Sequence, residues 1–397
     1  GETVENCLGL TIGIPVYNEI GDLPNVLSSL LAQRIPDGIP ITIIIVTNAT
    51  TDGSDQYVDQ WMDWMADMQR SSKASKPTEI TWPPDELQNQ YREQGWHERS
   101  ADTTPSVKYR SYSSPNGLTI IHADTRCPGK NNALNIIRHL SPTDRIISID
   151  GDIRLHHEAI VRLYGALSNQ QTDTPFPVAA GRRIAYYDHL PFDQRITKRL
   201  LHKKNNSAMP PYIWGGLFVY DRSRIDAFPV DIMYEDLWLT EHVKRDSAER
   251  SYHKPRRAEA SLAIGMQRHP HRHADRVKRF MRFMLHEKQL YTLHPEDISS
   301  DMIPVLDLPL PVYIYSLFHK DLTPDQLKEF EKLSPFDQLS EIIQNIQNIG
   351  RVRGWLLFFL RDHVRLEAWL RARHALNQQE SVLRSTTFPR CRGSKLQ

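Results

Sequence analysis

The sequence predicts an α/β protein: a doubly wound, mainly parallel sheet followed by an α-helical C-terminal extension. Short β-branched apolar runs alternate with segments of helical period through the first half. Polar or acidic turns follow the ends of those runs, and beyond about residue 285 the strand patterns give way to helical ones.

Leu10–Val16 is a short apolar run, after which Leu23, Val26, Leu27, Leu30 and Leu31 recur at helical spacing, so the chain opens with a β-α unit. Residues 41–46 form an Ile/Val-rich run of the kind that is covered on both faces in a parallel sheet. The polar turn 47–54 and a helix over 55–68 follow it. Strands at 118–122 and 145–149, with a helix at 131–140 between them, repeat the theme. In such sheets ligands bind outside the carboxyl ends of the strands.

Residues 70–117 interrupt the pattern with Pro77, Pro83, Pro84, Pro105 and Pro115 and show no sustained period. They read as an insertion or lid outside the sheet, with Trp82 and Trp96 as satellite packing residues or, in the alternative, ligand contacts. The predicted division is a sheet domain over 1–284 and a helical extension over 285–397. In the extension, Leu327, Phe330 and Leu333 mark one helix, and Phe336, Leu339, Ile342, Ile343, Ile346 and Ile349 another, stopped at Gly350. Residues 351–376 combine Trp355, Leu356, Phe359 and Leu360 with Arg351, Arg353, Arg361, Arg365, Arg371 and Arg373. Such a basic amphipathic helix either packs on the sheet domain or lies on an anionic membrane surface.

Lys plus Arg number 49 against 48 Asp plus Glu, so the net charge of +1 argues against a nucleic-acid partner. Cys7, Cys127 and Cys391 lack metal or disulfide-scaffold spacing, which fits a reducing compartment. Residues 1–25 lack the pattern of a signal peptide, and the apolar runs fall short of the roughly 20 residues of a membrane span. The expected location is cytoplasmic, with peripheral membrane contact through the basic helix as the alternative.

Chemistry-bearing residues gather where the strands end. Arg145 to Asp152 reads Arg-Ile-Ile-Ser-Ile-Asp-Gly-Asp, and acids at i and i+2 point to one side, where they can share a hard cation and its diphosphate ligand. Pro15-Val16-Tyr17-Asn18-Glu19 and residues 47–54 follow two other strands. Gly129-Lys130 opens a helix whose N-terminus suits a nucleotide phosphate, although the pair is not a Walker motif. Further on, Trp214-Gly215-Gly216-Leu217 precedes an apolar strand, and Glu235-Asp236 opens a helix. A carboxylate there can take the proton of an attacking hydroxyl, or can simply favour the helix dipole.

In this ordered set, residues 8 to 280 resemble the family 2 glycosyltransferases of GT-A fold. The resemblance implies that Pro15, Tyr17 and Glu19 line a nucleoside pocket with Lys130 near it. Asp150 and Asp152 become the Asp-x-Asp motif that holds ribose and a divalent metal. Asn48 stands where the family often has an Asp that recognises uracil, and its amide offers both a donor and an acceptor. Trp214, Gly215, Gly216 and Glu235 fall on the acceptor side, and Asp236 becomes the general base. Some members use a later His as a third metal ligand. Here His269, His271 and His273 are the candidates, His271 preferred, against a solvated basic loop.

The implied activity is inverting, Mn²⁺- or Mg²⁺-dependent transfer of a sugar from a nucleotide diphosphate donor, UDP-linked by expectation. The acceptor is a glycan, lipid, peptide or small molecule. The alternatives are a nucleotidyltransferase acting on a sugar phosphate, for which Gly13-Ile14-Pro15-Val16 supplies no Gly-rich phosphate loop, and a non-catalytic module that binds a membrane or partner.

Overall fold

A computed structural model describes residues 9–35, 38–68, 74–85, 87–88, 106–167, 177–186, 213–230, 232, 234–247, 264–268, 273–293, 295, 303–318, 323–348, 355 and 362–378. These fall into two compact units, one within residues 9–186 and 213–268 and one within 273–378.

In chain order the first unit runs β1 (Leu10–Val16), α1 (Leu23–Leu31), β2 (Ile41–Asn48), α2 (Ser54–Met68), β3 (Thr78–Thr81), β4 (Ser106–Ser113), β5 (Leu118–Thr125), α3 (Lys130–Leu140) and β6 (Arg145–Ile149). It continues with β7 (Ile153–Leu155), α4 (Ala159–Ala166), β8 (Val178–Ala180), β9 (Arg182–Tyr186), β10 (Leu217–Asp221), α5 (Glu235–Ser247) and β11 (Ile264–Arg268). The main sheet has the order β3-β4-β5-β2-β1-β6-β10-β8, and a smaller one the order β7-β11-β9. The expected α/β sheet is thus present, with a parallel centre, β5-β2-β1-β6, flanked by antiparallel strands on both sides.

Both faces of the parallel centre are covered, which is why its strands read as unbroken apolar runs. Ile12, Ile14, Ile43, Ile45, Ile147 and Ile149 share one core with Val26 and Leu27 of α1, Val58 and Met62 of α2, and Ile160 and Leu163 of α4. On the opposite face α3 lies so close to β1 that a Cβ at Gly13 would stand 2.5 Å from Ile137 Cγ2.

Residues 70–117 are not wholly outside the sheet, contrary to expectation. β4 pairs antiparallel with β5 from Val107↔Thr125 to Ser113↔Thr119, and β3 pairs with β4. Their Thr-Glu-Ile-Thr and Ser-Val-Lys-Tyr-Arg-Ser-Tyr-Ser sequences bury only Val107 and Tyr112, so the alternation that marks a covered strand is missing. Trp82 is buried, as expected, and its indole N–H donates to Asn132 Oδ1 at 2.7 Å. Trp96 lies outside the described residues.

The second unit contains α6 (His273–Leu293), α7 (Leu310–Phe318), α8 (Pro324–Glu331), α9 (Pro335–Asn348) and α10 (His363–Gln378). The predicted boundary at 284/285 falls inside α6, because Val277, Met284 and Leu285 lie on one face of a continuous helix and share a core with Val364, Ala368 and Trp369 of α10. Helices expected around 327–333 and 336–349 appear as α8 and α9. Of the basic stretch 351–376, residues 351–354 and 356–361, and with them Arg351, Arg353, Leu356, Phe359, Leu360 and Arg361, lie outside the described residues; so does Gly350. The arginines of α10 are engaged within its own unit: Arg365 sits 5.2 Å from the Phe280 ring, Arg371 pairs with Glu367, and Arg373 donates to the Leu308 carbonyl at 2.8 Å. Among the described residues no helix is long and apolar enough to cross a membrane.

Candidate functional site

β1 is the topological switch point of the sheet, since β2 pairs on one side of it and β6 on the other. Segments leaving its carboxyl end and those of its neighbours therefore open onto one crevice. Two of these loops are laced together. Asn18, at φ 55°, accepts the Thr51 N–H at 2.7 Å, and Asp52 Oδ2 accepts the Ile20 N–H at 3.0 Å. Asp52 Oδ1 also takes the Ser54 N–H and hydroxyl, while Ser54 Oγ accepts the Glu19 N–H at 3.1 Å. Asn18, Asp52 and Ser54 were not singled out from sequence, although Asp-x-Ser before a helix is a capping pattern. Tyr17 is half exposed beside them, Pro15 is buried in β1, and Asn48 is buried at the end of β2 with Oδ1 unpartnered among the described residues.

Lys130 joins acids from two motifs far apart in the chain. α3 begins at Lys130 because Gly129, at φ 116°, takes a backbone conformation closed to other L-residues. The ammonium lies 2.6 Å from Asp150 Oδ1, pairs with Glu235 Oε1, and donates to the Gly215 carbonyl at 3.1 Å. The Asp150 contact is an ion pair without ordinary hydrogen-bond angles. Burial opposes the charge on Lys130, but Asp150 and Glu235 outweigh it and hold the ammonium above its usual range.

The acids outnumber that cation. Burial, with Glu235 and Asp152 adding repulsion, pushes Asp150 up to about 7 against the pull of Lys130. Burial and then Asp152 and Asp150 push Glu19 up to about 8. Glu19 reaches this cluster because Gly151 carries no side chain: a Cβ there would stand 3.2 Å from Glu19 Cγ. Glu235 and Asp236 are also raised, chiefly by burial.

Asp236 is held by backbone. Its Oδ1 accepts its neighbour Leu237's N–H at 2.8 Å and Oδ2 accepts the Gly215 N–H at 3.4 Å. A Cβ at Gly215 would collide with Glu235 Oε1 and lie 3.0 Å from Asp236 Cβ, so a side chain here would displace the two acids. Trp214 lies against Gly216 and Gly265, a packing arrangement that leaves the indole only partly open. The segment before α5 is pinned by amides: Asn131 donates to the Pro229 and Ile232 carbonyls, and Asn135 exchanges both hydrogen bonds with the Phe228 backbone. Sequence reasoning missed both residues.

Among the described residues no three acidic, imidazole or thiol groups gather as a metal cluster. Asp150 and Asp152 nevertheless suit a hard cation that draws its remaining ligands from a diphosphate and water, and the surplus of carboxylates favours one. His269 and His271 lie outside the described residues. His273 starts α6, where Nε2 lies 2.7 Å from Glu367 Oε2 and the ring stacks on His363.

Residues 11–72 match the model of glycosyl transferase family 2. The matched segment spans β1, α1, β2 and α2, and with them the Tyr17–Glu19 and Asn48–Ser54 loops of the crevice. Among curated proteins none matches the sequence. Several solved structures are similar at low identity. The mannosyltransferase PcManGT from Pyrobaculum calidifontis, in complex with GDP-Man and Mn²⁺, is 14% identical with a TM-score of 0.48, over 94% of this chain and 87% of that one. S. aureus TarS 1–349 in complex with UDP-GlcNAc is 12% identical with a TM-score of 0.37, over 93% and 92%. Glucosyl-3-phosphoglycerate synthase from Mycobacterium tuberculosis, in complex with Mn²⁺, UDP and glucosyl-3-phosphoglycerate, is 15% identical with a TM-score of 0.36, over 71% and 78%.

Proposed function

We propose that the chain is an inverting, metal-dependent glycosyltransferase that moves a sugar from a nucleotide diphosphate donor, UDP-linked, to an acceptor hydroxyl. The observation that carries this reading is the contact of one lysine, Lys130, with both Asp150 and Glu235, which puts the Asp-Gly-Asp and Glu-Asp motifs in a single crevice. In this reading Pro15, Tyr17 and Glu19 flank the nucleoside. The unpartnered Asn48 Oδ1 accepts the N–H of a base such as uracil.

Asp152 and Asp150 would hold Mn²⁺ or Mg²⁺, which supplies charge neutralisation for the departing diphosphate. Asp236 accepts the proton of the acceptor hydroxyl as its oxygen attacks the anomeric carbon from the face opposite the diphosphate. Its raised affinity for a proton suits that task, and the two backbone N–H groups keep the carboxylate aimed. Glu235, anchored by Lys130, and the Gly215-Gly216 turn border the acceptor.

Asp236→Asn is expected to abolish sugar transfer while leaving UDP binding within about threefold of wild type, read by calorimetry with Mn²⁺. Asp152→Ala is expected to lose the Mn²⁺-dependent part of UDP binding. Near-wild-type turnover by the first variant would remove Asp236 from the mechanism, and unchanged Mn²⁺ dependence in the second would remove Asp152 from the metal site.

A further inference from the structure

A polar chain, buried at Thr47 and His122 and open at its outer end, joins the ends of β2 and β5. Thr47 Oγ1 lies 2.8 Å from Asp124 Oδ1 and 2.9 Å from His122 Nε2, and His122 Nδ1 lies 2.8 Å from Asp59 Oδ1. The same Asp59 oxygen accepts from Arg110 Nη1 at 3.1 Å, and Arg110 Nη2 donates to Asp63 at 2.8 Å. Thr47 and His122 are shut off from solvent. Among the described residues the charged groups around the ring are Asp59 and Asp63 on α2, Arg110 on β4, and Asp124 on β5, with Lys108 opposite Asp124 in the register.

Ionised carboxylates only accept, so each contact in the row Asp59–His122–Thr47–Asp124 draws its hydrogen from the imidazole or from the Thr47 hydroxyl. Thr47 has Asp124 as its short carboxylate acceptor; the Ala123 carbonyl is 3.4 Å away. The row therefore ties the ring to α2 on one side and to the end of β2 on the other.

The strand ends held by this row are those from which the donor loops depart. Thr47 precedes Asn48, whose successor Ala49 donates its N–H to the Thr125 carbonyl at 2.7 Å, and Asp124 precedes the turn that leads to Lys130. We propose that His122, bridging Asp59 and Thr47, is a positioning residue for the nucleotide donor, fixing Asn48 and the approach to Lys130 relative to each other. This rests on the donor reading above.

The test uses the full chain and two readouts: UDP and GDP affinity by calorimetry with Mn²⁺, and amide exchange at Ala49. His122→Gln and the near-isosteric Thr47→Val are each expected to weaken UDP or GDP binding about tenfold and to speed Ala49 exchange about tenfold. Asp63→Asn, at the outer end of the row, should leave both unchanged. Unchanged affinity in Thr47→Val where wild type binds nucleotide overturns the inference. Failure of the wild-type chain to bind either nucleotide strikes the donor reading instead, and unchanged Ala49 exchange in Thr47→Val then overturns the positioning role.

Discussion

Lys130→Met tests whether one cation holds the crevice together. The substitution keeps the aliphatic stem and removes the ammonium from Asp150, Glu235 and the Gly215 carbonyl. Glu235 is the partner that suffers most, since 2% of its side chain is exposed against 25% for Asp150. Removing one member of a buried pair costs about 3–5 kcal/mol. The open side of Asp150 places this case at the lower end, about 3 kcal/mol at pH 7.

The variant can lower that cost by keeping Glu235 protonated, and this gives the effect a pH signature. An unfolded glutamate ionises near 4.5. Holding the proton in the folded variant then costs about 1.4 kcal/mol for each pH unit above that value. A carboxylate with a raised folded pKa contributes stability below its unfolded pKa and loses it as pH rises, so the gap between variant and wild type should be about 3 kcal/mol at pH 7 and about 1 kcal/mol at pH 5. The Lys130 contribution itself is constant across this window, because its folded pKa is raised from an already high value. Urea unfolding followed by tryptophan fluorescence at both pH values measures the gap, and Lys130→Met/Glu235→Gln should recover most of it. A loss under about 1 kcal/mol at pH 7, or an equal loss at both pH values, would refute the reasoning.

Two further outcomes are expected. Glu19, pushed up to about 8 by burial and its acidic neighbours, contributes stability below pH 4.5 that is lost as pH rises through 8. Glu19→Gln should therefore stabilise the metal-free protein at pH 8.5 by about 1 kcal/mol, after allowing for the part of the carboxyl open to water, and leave its stability unchanged near pH 4.5; equal shifts in melting temperature at both pH values would contradict this. Trp82→Phe removes the indole hydrogen bond to Asn132 at the start of α3 and should cost about 1–2 kcal/mol in thermal unfolding. A variant as stable as wild type would show that the bond is replaced by water.

The central strands were legible because burial on both faces writes them as apolar runs: the predicted bounds of β1 and β6 coincide with those observed. β3 and β4 were not, because strands with few buried positions carry the composition of a loop. In the crevice, Glu19, Lys130, Asp150 and Glu235 could be nominated one at a time from their places at strand ends and helix starts. Their convergence could not, since Lys130 meets partners 20 and 105 positions later in the chain. Asn131 and Asn135 were silent for another reason: an amide bonding to distant backbone carbonyls needs no sequence pattern around those carbonyls.

The antiparallel flanks of the sheet also bear on how the protein behaves in a crowded solution. Without β4, the eight residues of β5 would offer a long row of unpaired backbone donors and acceptors to other chains. With β4 and β3 in place, the border of the sheet among the described residues is a four-residue strand, Thr-Glu-Ile-Thr, that is mostly exposed, and the opposite border, β8, has three. Short borders, the first of them mostly polar, are poor templates for intermolecular strand pairing, so the segment that reads in sequence as an insertion guards the molecule against edge-to-edge aggregation.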